Sequence, residues 1–157
     1  MHEGVWLSDL KDIKEAFLNF YKKKFSCQDS QVSFPSFMPA HRFNTSDQGL
    51  LEVVVSMKEI KTVVRDCGSN KASGPDGYSF LFIKIFWDLL KHDIQEFVVS
   101  FFSLGKFPQG VNSAFIMLIP KVYNPLFIKD YRPISLIGLH YKIVAKILSN
   151  RLSKRDY

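Results

Sequence analysis

The sequence has little cysteine. Cys27 and Cys67 are the only two in 157 residues, too few for a disulfide framework and not spaced as zinc ligands, so a reducing intracellular setting is the expectation. The four histidines (His2, His41, His92 and His140) are far apart, and no HExxH or Cys/His cluster is present. There is no run of 18 apolar residues, so no membrane helix is expected. The start, MHEGVWLSDLKD, lacks the basic and apolar regions of a secretory signal. There is no internal repeat and no low-complexity tract.

What is present fits a soluble globular chain: 46% hydrophobic, 23% charged and 15% aromatic. The net charge of +6 is unevenly placed. Residues 1–120 hold 13 basic and 13 acidic side chains. Residues 121–157 hold eight basic ones against Asp130 and Asp156. An excess concentrated this way suits a phosphate-bearing or other polyanionic partner, or else forms a solvated basic face.

Periodicity suggests mostly helices. Ser8 is placed to cap a helix reaching about Phe25, with Leu10, Ile13, Phe17, Phe20 and Tyr21 on one apolar face. Residues 26–49 read as a loop, partly ordered by Phe34 and Phe37. Ser56 and Glu59 form a capping box for a helix that buries Ile60, Val63, Val64 and Cys67 and stops at Gly68. Residues 69–77 are turn formers. A helix over Phe80–Leu90 and a second from about Asp93 to Leu104, ended by Gly105, follow. Ala114–Ile119 reads as a buried strand, and Tyr131–Ile137 as its antiparallel partner across a long tip. In the last helix Tyr141, Val144, Ala145, Leu148 and Leu152 form the expected buried stripe, with Lys142, Lys146 and Arg151 off it. The fold class expected is α+β, mostly helical with a small antiparallel hairpin.

Three segments taken together carry a resemblance. They are Asn70–Tyr78 (NKASGPDGY), Phe115–Lys121 (FIMLIPK), and Asp130–Leu136 (DYRPISL) followed by Tyr141–Leu152 (YKIVAKILSNRL). Their order and spacing resemble the N-terminal part of the reverse transcriptase domain of LINE-type non-LTR retrotransposons, most closely those abundant in plant genomes. Local departures are Ser73 where proline is frequent, Tyr78 and Tyr131 where phenylalanine is frequent, and Leu139-His140 before Tyr141.

The resemblance implies the fingers of a right-hand polymerase with the palm absent. Residues 1–55 would be a leading extension, and residues 56–157 the fingers portion. Arg132 would contact the triphosphate or the template, and Lys121 would have a similar role. A guanidinium grips two phosphate oxygens while an ammonium acts as a point charge. The alternative for Arg132 is a surface arginine, or one ion-paired beside Asp130. Lys71 would touch template backbone, although a plain structural turn accounts for Gly74-Pro75-Asp76-Gly77. Lys142, Lys146 and Arg151 would track a strand, with Tyr141 either stacking a base or sitting in the core. His140 is expected to be a packed or helix-start residue.

The expected partners are RNA template, DNA primer and deoxynucleoside triphosphate, with no membrane and no identified protein partner. The expected location is the nucleus. In the intact family enzyme, Mg²⁺ held by palm carboxylates would drive the chemistry. No Tyr-x-Asp-Asp occurs in the sequence, so no cofactor and no polymerisation are expected of this chain alone. Two other readings fit the sequence: a domesticated nucleic-acid-binding module using the basic quarter, and a non-functional product prone to aggregate.

Overall fold

A computed structural model describes residues 6–26 and 45–153. The expected loop over 26–49 lies largely outside them. Its last five residues, 45–49, are helical instead and open α2 (Thr45–Glu52).

The chain divides into two units. The first comprises residues 1–40 and 117–134. Its helix α1 (Leu10–Phe25) is capped by the Asp9 carboxylate, which accepts from the Lys11 N–H at 2.7 Å, so the cap falls one residue after Ser8. Lys22, Lys23 and Lys24 occupy the last turn, where cations suit the helix dipole. Ala16 and Tyr21 are buried with Ile128, and Leu7, Phe17, Phe20 and Leu118 pack against them. Leu10, expected on that face, is 65% exposed.

The second unit comprises residues 41–116 and 135–157. It contains α2, α3 (Met57–Asp66), α4 (Phe80–Ile85), α5 (Trp87–Leu104) and α6 (Leu139–Ser153). Ser56 caps α3 as its sequence requires, its hydroxyl accepting from the Glu59 N–H at 3.2 Å. The helix ends at Asp66, and Cys67 leaves in extended conformation, so Gly68 is not the stop signal. Between Phe80 and Leu104 the break falls at Phe86 rather than near residue 92. Gly105 ends α5 with φ 67°, a left-handed turn that a side chain would strain.

Ile60, Val63, Val64, Val98, Leu139, Ile143, Val144 and Ile147 form the centre of this unit's core. Each such burial contributes about 1.5–3 kcal/mol. Phe97, Phe101 and Phe107 pack on its edge. The last helix is turned relative to the expected stripe. Ile143, Val144, Ile147 and Arg151 face inward, while Ala145, Leu148 and Leu152 are exposed.

Strands β1 (Ala114–Pro120) and β2 (Tyr131–Ile137) form a two-stranded antiparallel sheet. The pairing is as expected, but the burial of β1 is not. Phe115 is 58% exposed, and Ile116, Met117 and Ile119 are exposed too. Among the described residues β1 pairs with β2 alone.

Candidate nucleic-acid interface

The GPDG segment is a structural turn with a second task. The Gly77 N–H donates to the Gly74 carbonyl at 3.0 Å, which closes the turn. One Asp76 oxygen accepts from the Tyr78 N–H at 3.3 Å. The other accepts from the N–H of Leu139, the first residue of α6. A carboxylate there satisfies an orphan donor and faces the positive end of the helix dipole. Gly74 lies against the backbone where β2 passes into α6. A Cβ on it would overlap the Ile137 carbonyl and the Gly138 nitrogen. The turn and the start of α6 are therefore one fixed assembly.

That assembly sets the lysines of the loop and of α6. The Lys142 ammonium donates to the Ala72 carbonyl at 2.8 Å. The Lys84 ammonium donates to the Cys67 carbonyl at 2.6 Å and to the Ser69 hydroxyl at 3.2 Å. Burial, with a smaller push from the Asp66 charge, moves the Cys67 thiol up, while the charges of Lys71, Lys146 and Lys84 pull it down. Three cations therefore act on a single side chain. Lys71, Lys142 and Lys146, separated by up to 75 positions in sequence, are gathered around the Cys67–Ala72 loop. Lys84 belongs to this group and was not among the residues singled out from the sequence. Its apolar neighbours on α4 gave no signal of its role.

Arg151 does not belong to the group. It is buried, with Nε 2.8 Å from Oε1 of Glu59, Nη2 2.9 Å from Oε2, and Nη1 donating to the Leu51 carbonyl at 2.8 Å. Its guanidinium also lies 5.1 Å from the centre of the Phe102 ring. It is a core cation, so the strand-tracking role expected of it does not hold. Tyr141 packs on Phe107 with ring centres 5.2 Å apart, and His140 on Phe97 at 4.6 Å. Both are packed residues.

Lys121 and Arg132 lie on the hairpin in the first unit. The Lys121 N–H donates to the Asp130 carbonyl at 2.7 Å, and its ammonium donates to the Lys129 carbonyl at 2.7 Å. The backbone bond pairs residue 121 with residue 130. Strand alternation then puts Leu118, Tyr131 and Pro133 on one face and Ile119, Lys121, Arg132 and Ile134 on the other. Leu118, Tyr131 and Pro133 are half-buried and the other four exposed, while Pro120 on the first face is exposed and Asp130, opposite Lys121, is half-buried. Phe17 covers the first face, meeting the Tyr131 ring edge-on at 5.1 Å. Lys121 and Arg132 thus share the outward face. Asp130 is not the partner of Arg132. Its carboxylate accepts from the Leu126 and Phe127 N–H groups at 3.2 and 2.9 Å.

Among the described residues, no group of three or more His, Cys, Asp or Glu side chains is placed to hold a metal ion. The residues described do not fit the two-metal chemistry implied by the resemblance. No helix among them is long and apolar enough to cross a membrane.

No protein-family model matches the chain. It is 30% identical, over 96% of its length, to the transposon TX1 uncharacterized 149 kDa protein of Xenopus laevis. Over 95% of its length it is 26% identical to the RNA-directed DNA polymerase from mobile element jockey of Drosophila funebris. It spans 12% and 16% of the lengths of those two proteins. Along nearly all of its residues, then, the chain is similar to segments of proteins encoded by mobile elements.

Proposed function

We propose that the chain is the gripping portion of a mobile-element RNA-directed DNA polymerase: the fingers part of a right-hand enzyme of the LINE type, close to the elements of plant genomes. It contacts the RNA template and the incoming nucleotide in the nucleus and does not polymerise by itself. The similarity to the jockey polymerase, which runs through 95% of the chain, carries this reading.

The chemistry of the two basic groups supports it. Lys71, Lys142 and Lys146 stand around the Cys67–Ala72 loop, and Asp76 ties the adjoining turn to the start of α6, so several cations face one region. Lys121 and Arg132 share an exposed strand face, and no carboxylate among the described residues pairs with Arg132. A free guanidinium suits a phosphate group. Catalysis would need clustered carboxylates, and the sequence holds neither Tyr-x-Asp-Asp nor an apolar strand ending in paired aspartates.

The test has two arms. Fluorescence anisotropy with a labelled single-stranded RNA should show binding that Lys142→Gln with Lys146→Gln weakens. Primer extension on an RNA template with Mg²⁺ should give no product. Absence of RNA binding contradicts the reading, and so does extension by this chain that a single carboxylate substitution abolishes.

A further inference from the structure

A cleft of about 330 Å³ lies between α3, α4 and α5, lined by Lys61, Val64, Arg65, Lys84, Trp87 and Asp88. Resting on the reading above, we infer that this cleft takes a phosphate group of a single-stranded nucleic acid and extends the basic surface of the loop and α6.

Three cations from two helices meet there. Lys61 and Arg65 are four residues apart on α3, so they share a helix face as a like-charge pair, an arrangement that costs stability unless something anionic balances it. Among the described residues no carboxylate lies within ion-pair distance of either one. Asp88 is the single acid of the lining. Its side chain is 92% exposed and sits 3.1 Å from the Lys91 ammonium, which offsets its charge. The Lys61 ammonium stands 5.9 Å from the centre of the Trp87 ring, and Trp87 itself is buried. The cleft therefore has an apolar floor and a cationic rim.

Lys84 joins it to the loop. Its ammonium has three donors, and the Cys67 carbonyl and the Ser69 hydroxyl take two. Ser69 is two residues from Lys71, and Lys71 and Lys146 act on the same thiol as Lys84. Lys84, on α4, thus lines the cleft with Lys61 and Arg65 and holds the start of the Cys67–Ala72 loop, whose end is held by Lys142. Residues 1–120 are neutral by count, yet folding collects four of their cations here.

The experiment is a salt titration of the full chain against labelled oligouridylate, read by anisotropy. Each phosphate neutralised on a single strand contributes a slope of about 0.7 in log affinity against log salt. Lys61→Gln with Arg65→Gln should lower the slope by about 0.7, while Lys61→Arg with Arg65→Lys keeps it. Circular dichroism melts identify a variant that has lost its fold; Lys61→Gln and Arg65→Gln made singly then carry the comparison, each against the charge-preserving pair. An unchanged slope in folded Lys61→Gln/Arg65→Gln overturns the cleft. If Lys71→Gln/Lys142→Gln/Lys146→Gln still lowers the slope in that case, the proposed function stands without it. A wild-type chain whose binding ignores salt overturns both.

Discussion

The Arg151 guanidinium meets the Glu59 carboxylate side-on, two nitrogens against two oxygens at 2.8 and 2.9 Å, and so ties the last turns of α6 to the first turn of α3. Arg151 is buried, and Glu59 keeps 26% of its side chain in solvent. Removing the guanidinium leaves the Leu51 carbonyl without that donor as well.

Arg151→Ala should therefore destabilise the fold by about 2–4 kcal/mol. Arg151→Lys, which keeps charge but loses the paired geometry, should recover only part of this. Urea unfolding followed by circular dichroism measures both. A loss below about 0.5 kcal/mol, the range of ordinary surface changes, would mean that the pair does not hold α6.

The GPDG turn should matter to stability rather than to chemistry. Gly74→Ala drives a methyl group into the Ile137 and Gly138 backbone and should cost about 3 kcal/mol or more. Asp76→Ala, which leaves the Leu139 N–H unsatisfied, should cost about 1–2 kcal/mol. Thermal melts should rank the two in that order. Equal and negligible shifts would show that the turn and α6 are not coupled.

The sequence makes some of this visible and hides the rest for identifiable reasons. β2 runs from Tyr131 to Ile137 as read, because turn formers and apolar residues delimit it sharply. The Ser56 cap and the Gly105 stop each have a local chemical cause that needs no tertiary contact. The rotation of α6 has none. Leu139, Ile143, Val144 and Ile147 lie on one side, and Tyr141, Ala145, Leu148 and Leu152 on another, so periodicity alone is degenerate. In the observed rotation Ile143, Val144 and Ile147 join the core and Glu59, distant in sequence, holds Arg151, whose charge pointed the wrong way. The break at Phe86 has no glycine or proline to mark it. The cation cleft is invisible to any count along the chain, since its residues come from a segment of zero net charge.

Cys67 should make stability sensitive to alkaline pH. Burial raises its thiol above the ordinary value of 9.0 despite the nearby lysines. The unfolded chain then loses this proton first as pH rises. The contribution of a neutral buried thiol is complete below the unfolded value and is lost as pH climbs toward the folded one. Wild type minus Cys67→Ala, compared by urea midpoint from about pH 8 to about pH 10, should shrink toward the alkaline end. A constant difference would mean that the thiol titrates alike in both states.

The central claim is that folding turns scattered lysines into a surface for a nucleic-acid backbone. The salt dependence of RNA affinity in the wild-type chain tests it most directly. With Lys71, Lys142 and Lys146 each neutralising one phosphate, the slope of log affinity against log salt should be at least about 2 in magnitude. A flat line, or no measurable binding at low salt, would contradict it.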